Sequence, residues 1–65
     1  MLYYECYLYR PDGSICGASP LLRDDDEKAA EAAREIFMQR EDAASFELWQ
    51  ENRQVSIGAE NKKAS

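Results

Sequence analysis

The sequence predicts an α+β fold of order ββαββ, with one helix packed on one face of a four-stranded antiparallel sheet. Three observations lead there. Leu2 to Tyr9 alternates as a strand and carries apolar residues on both of its faces. An alanine-rich stretch from about Asp25 to Arg40 bears a helical apolar stripe behind an acidic start. Two short alternating runs, 46–50 and 53–57, follow it.

Size sets the energetic frame. A chain of 65 residues is one small domain, of a class that buries only about 60% of the surface its unfolded form exposes. A single core of that size supplies only about 3–5 kcal/mol, so help from a partner chain is expected. Residues 1–58 make the domain, and 59–65, polar and aperiodic, are expected to form a mobile tail. No cofactor is expected, and 2 cysteines with 0 histidines fall short of a zinc ligand set. Eight basic against 13 acidic residues give a net charge of −5, which disfavours phosphate backbones and favours basic partners. With neither a basic leader before an apolar run nor an apolar stretch of membrane-spanning length, the expected location is the cytoplasm, with both cysteines as thiols.

In the first strand, Leu2, Tyr4, Cys6 and Leu8 form one row, and Tyr3, Glu5, Tyr7 and Tyr9 the other. Arg10-Pro11-Asp12-Gly13 then reads as a three-residue hairpin loop with glycine in the left-handed position. Pairing Arg10 with Ser14 and continuing without interruption sets Tyr9 against Ile15, Tyr7 against Gly17 and Tyr3 against Leu21. On the opposite, core face, Leu8 meets Cys16, Cys6 meets Ala18, Tyr4 meets Pro20 and Leu2 meets Leu22. Pro20 cannot donate to a ladder, so the second strand belongs at an edge.

Asp24 to Glu27 opens the helix. An aspartate cap satisfies a free N–H there, and Glu27 stands at capping-box spacing from Asp24. Ala29, Ala30, Ala33, Ile36, Phe37 and Arg40 mark the inward stripe; Lys28, Glu31, Arg34 and Glu35 form the solvated back. After a polar link, the last hairpin turns at Glu51-Asn52, pairing Leu48 with Val55 and Phe46 with Ile57. Asn52 tolerates positive φ there better than Glu51 does. The spatial orders 2-1-3-4 and 1-2-4-3 both give a fully antiparallel sheet. Pro20 and the two-sided apolarity of the first strand favour 2-1-3-4, with a right-handed crossover.

Tyr-Leu-Tyr-x-x-Asp-Gly-x-Ile, then Lys-Ala-Ala-x-x-Ala-Arg, then Glu-Leu-Trp-Gln-x-x-Arg-x-Val is similar to a pattern in a group of short, uncharacterised bacterial proteins. The resemblance covers about Leu2 to Ile57 and rests most on Glu47-Leu48-Trp49-Gln50 with Arg53 and Val55. Members often carry glycine directly after the glutamine, where this chain has Glu51. The resemblance implies the ββαββ fold and no activity.

The residues do not read as an enzyme. There is no histidine base, no Gly-x-Ser-x-Gly elbow and no phosphate-binding glycine loop. The acidic run at Asp24 to Glu27 reads as capping rather than a cation site, since it lacks the spaced ligands of a calcium loop. Cys6 and Cys16 read as small apolar side chains rather than a disulfide.

What remains is the sheet face away from the helix. Tyr3, Tyr7, Tyr9, Ile15, Leu21 and Trp49 are expected to share it, with Glu5 and Glu47 among them and Arg10 and Arg53 at the rim. A one-helix protein has nothing of its own to cover such a patch, and Tyr and Trp dominate interface hot spots. The expected function is a non-catalytic interaction module. A two-fold homodimer through this face ranks first, and an adaptor or inhibitor binding a different protein ranks second. Base stacking on single-stranded nucleic acid is third and is disfavoured by the charge.

Overall fold

A computed structural model describes residues 1–59. The elements are β1 (Leu2–Tyr9), β2 (Ile15–Arg23), α1 (Asp26–Gln39), β3 (Ser45–Gln50) and β4 (Arg53–Ala59). The strands form one antiparallel sheet in the order β2-β1-β3-β4, as expected from Pro20 and the two-sided first strand. Ala59 closes β4 rather than opening a tail; the remainder of the expected tail, 60–65, lies outside the described residues.

The first turn forms as its sequence dictates. Gly13 N–H donates to the Arg10 carbonyl at 2.9 Å, Arg10 N–H donates to the Ser14 carbonyl at 2.7 Å, and Gly13 takes φ +94°. Asp12 accepts from the Ser14 N–H and hydroxyl at 2.9 and 2.7 Å, which holds its carboxyl below the usual range.

Beyond the turn, the register departs from the uninterrupted one. Tyr9 pairs with Ile15, but Leu8 pairs with Gly17, so Cys16 is an extra residue in a β-bulge. Every later pair shifts by one: Tyr7 meets Ala18, Glu5 meets Pro20, Tyr4 meets Leu21, Tyr3 meets Leu22 and Leu2 meets Arg23. A one-residue slip exchanges the two faces of a strand. Leu21 therefore enters the core at 7% exposure, and Leu22 turns outward at 52%. Leu21 does not lie on the open face. Gly17 moves to the core side beside Leu8, and Leu2, expected in the core, is exposed.

The second hairpin repeats the device. Trp49 pairs with Gln54 but Leu48 pairs with Ser56, so Val55 is the extra residue. Ile57 then stands opposite Glu47 on the open face, and Gly58 opposite Phe46. The Phe46 ring occupies the place where a Cβ on residue 58 would sit, so the slipped register needs glycine there. In the turn, Glu51 and not Asn52 takes the positive φ, +56°. Both extra residues, Cys16 and Val55, are half-buried and pack against the core.

The core comprises Tyr4, Cys6 and Leu8 of β1, Leu21 of β2, Phe46 and Leu48 of β3, Ala29, Ala33 and Phe37 of α1, and Ala43 of the link. The alanines let the helix approach the sheet closely at its start. Phe37 fills the other end against Phe46, with ring centroids 5.2 Å apart. The N-cap is Asp25, one residue later than the capping-box spacing suggests, and accepts from Lys28 N–H at 2.9 Å. Asp26 ties the helix start to the sheet. It accepts from the buried Tyr4 hydroxyl at 2.6 Å and from both Arg53 guanidinium nitrogens at 3.0 and 3.2 Å.

Candidate functional site: the open sheet face

Alternation on four strands builds this face. β1 sets out Tyr3, Glu5, Tyr7 and Tyr9. Glu5 lies between Pro20 and Trp49, Tyr7 between Ala18 and Glu47, and Tyr9 between Ile15 and Ser45. A shallow groove of about 520 Å³ runs over them, lined by Tyr3, Glu5, Tyr7, Tyr9, Ile15, Glu47, Trp49 and Glu51. Five of the six residues expected on this surface therefore come together: Tyr3, Tyr7, Tyr9, Ile15 and Trp49. Leu21 is the exception, carried into the core by the Cys16 bulge.

The bulges also bring two residues that uninterrupted pairing places in the core. Leu22 stands beside Tyr3, and Ile57, 64% exposed, beside Glu47. Adjacent apolar residues, Leu21-Leu22, mark a strand whose pattern fits either register. That ambiguity is the signal that could have found Leu22. Glu51 joins through the second turn.

The face orders its own polar groups. Glu47 Oε1 accepts from the Tyr9 hydroxyl at 3.1 Å and from Trp49 Nε1 at 3.0 Å. The Tyr3 hydroxyl donates to Glu5 Oε2. That bond to Glu5 raises the Tyr3 pKa; burial, and then the bond to Glu47, raises that of Tyr9. Both phenols stay protonated donors at neutral pH. Arg53, expected at the rim, is turned to the helix side, where it meets Asp26 and the Gln50 carboxamide. Arg10 reaches the Ser14 hydroxyl and the Ile15 carbonyl at 3.3 and 3.2 Å. Among the described residues, no lysine or arginine lines the groove.

The Cys6 thiol is buried in the core, which pushes its pKa up to about 11, far from the thiolate that nucleophilic chemistry needs. Cys6 and Cys16 are both free thiols. Among the described residues, no group of three or more His, Cys, Asp or Glu side chains is arranged to hold a metal. No described helix is long and apolar enough to cross a membrane. Comparison with protein-family models, with curated proteins and with solved structures finds no match.

Proposed function

We propose that this chain is a non-catalytic protein-interaction module that binds a separate protein partner through its open sheet face. The observation that carries the reading is the groove itself. Four aromatic side chains and Ile15 share it with three carboxylates, and the helix that could cover a sheet lies on the other side. Three of the four aromatics, Tyr3, Tyr9 and Trp49, are tied by their own hydrogen bonds and so give contact area at small entropic cost. The described lining carries three carboxylates and no basic side chain, and this with the net charge of −5 weighs against nucleic acid.

Affinity capture from a cell extract, by wild type and variants in parallel, tests the proposal. Capture of one defined protein is expected to be lost in Tyr7→Ala and Trp49→Glu and kept in Met38→Ala, on the exposed back of the helix. Equal capture by all three variants removes the face from consideration.

Self-association is the second reading, favoured by Ile15, Leu22 and Ile57, each more than half exposed on this one face. Against it, a two-fold pairing brings two copies of an acidic groove together, and the described lining supplies no cation to offset them. Light scattering over a wide concentration range separates the two. A mass that doubles in wild type and stays monomeric in Trp49→Glu establishes the dimer.

A further inference from the structure

We infer that the groove takes a guanidinium, the arginine side chain of a basic partner segment lying across the sheet face. The inference rests on the reading that this face binds a partner. It begins from which polar atoms are already engaged. The Tyr3 hydroxyl, the Tyr9 hydroxyl and Trp49 Nε1 all donate to the groove's own carboxylates. Among the described lining residues, only the Tyr7 hydroxyl remains as a side-chain donor. The acceptors are in surplus. Both donors at Glu47 converge on Oε1, and Tyr3 uses only Oε2 of Glu5, so Glu47 Oε2 and Glu5 Oε1 have no hydrogen-bond partner among the described residues. Glu51 adds a third carboxylate at the end of the groove. A ligand that matches this surface must bring donors and positive charge.

Ring chemistry narrows the ligand further. The groove is walled by Tyr3, Tyr7, Tyr9 and Trp49, and aromatic faces attract cations, most strongly when solvent is excluded. A guanidinium has five N–H donors, no acceptor, and a flat face that stacks on a ring while its edge meets a carboxylate; an ammonium does only the second. The described arginines on or beside the sheet donate elsewhere: Arg53 to Asp26, Arg40 to Asp42 and the Cys16 carbonyl, Arg10 to the Ser14 hydroxyl and the Ile15 carbonyl, and Arg23 to the Leu22 carbonyl. The partner is expected on the face and not on an edge. β2 carries Pro20 and a bulge, and β4 a bulge, each of which obstructs addition of another strand.

The test uses blocked Gly-Arg-Gly peptide, with Gly-Lys-Gly and Gly-citrulline-Gly as controls, added to the full chain while Trp49 emission is followed. The chain has 1 tryptophan, so the signal reports on this groove. The arginine peptide is expected to shift Trp49 emission saturably, and the lysine peptide to bind roughly 3-fold more weakly. The citrulline peptide, isosteric and neutral, is expected to do nothing. Glu47→Gln should weaken arginine binding roughly 5-fold, and Glu31→Gln, on the back of the helix, should leave it unchanged. Circular dichroism of both variants confirms that the fold is kept. Equal responses to arginine and citrulline, or to arginine and lysine, overturn the guanidinium assignment. If partner capture is lost in Tyr7→Ala while no arginine peptide moves Trp49, the assignment fails and the face stands as a docking site.

Discussion

Arg40 donates from Nη2 to the carbonyl oxygen of Cys16 at 2.8 Å, joining the end of the helix to the bulge in β2. A bulge leaves backbone groups out of the ladder, and here a side chain from another element takes one of them up. The same guanidinium reaches Asp42 through Nε and Nη2, each at 3.1 Å, so it is clamped from both sides.

Removing that clamp should loosen the bulge first. Arg40→Ala is expected to lower the urea midpoint and to speed amide exchange across 15–18 more than across β3. Arg40→Lys should recover only part of the loss, because an ammonium cannot reproduce the forked contact. Uniform exchange rates in Arg40→Ala would show that the bulge does not depend on this contact.

Two adjacent leucines test the register. Leu21 is 7% exposed and Leu22 52%, whereas uninterrupted pairing from the turn exchanges their faces. Leu21→Ala should cost about 2–5 kcal/mol and Leu22→Ala within about 0.5 kcal/mol. Chemical denaturation of the two variants is enough, and a reversed ranking would mean that the strand is not bulged at Cys16.

Glu51 holds φ +56° in the second turn, a conformation that a side chain with a Cβ resists. Glu51→Gly is expected to stabilise the fold by about 1 kcal/mol, after the extra freedom of glycine in the unfolded chain is set against the relieved strain. Thermal unfolding measures this. A lower melting temperature in Glu51→Gly would mean that the glutamate side chain makes a contribution larger than the strain it imposes.

Acid and alkali should weaken the fold through different groups. Burial, with the hydrogen bond to Asp26, raises Tyr4 from 10.0 to about 12, and burial raises Cys6 from 9.0 to about 11. Both are neutral in the fold. Their stabilisation is complete below the unfolded values and is lost as pH rises through the folded ones. Urea midpoints should therefore fall from about pH 9 upward, and Cys6→Ala and Tyr4→Phe should each flatten part of that fall. Asp26 behaves in the opposite sense. The Arg53 guanidinium, then the Tyr4 hydroxyl, hold its carboxyl below the ordinary value of 3.8. Its contribution is present above that value and disappears as acid carries the pH through the lowered one. Asp26→Asn should make the acid limb shallower.

The residues that were easy to read act locally. Pro11 and Gly13 set the first turn, Pro20 fixes an edge, and the alanine-rich stripe makes a helix, so the strand order was legible. The bulges were not, because a bulge is settled by what lies opposite. β2 extends smoothly from its turn in either register, and the choice falls to how Leu21 fits beneath the helix and how Arg40 reaches the Cys16 carbonyl. β4 offers Val55 and Ile57 equally to the core, and the choice falls to Phe46 finding the bare backbone of Gly58. The site was legible wherever it lay on β1 and β3, which carry no insertion of their own. On the edge strands it was misread only beyond the bulges, at Leu21, Leu22 and Ile57, while Ile15, ahead of the β2 bulge, lies where expected.

The strand at the centre of the sheet is the first described element of the chain, and one of its two partners, β3, follows only after β2 and α1. As the polypeptide is synthesised, the β1–β2 hairpin can close at once, but Cys6 and Tyr7 lack their neighbours Leu48 and Glu47 until β3 is made. Through that interval, the hairpin exposes an apolar row on one side and a tyrosine row on the other. Docking of β3, which must close the long loop through β2 and α1, is then the step expected to limit folding. Trp49 reports on it directly, since its place beside Glu5 arises only when β1 and β3 meet.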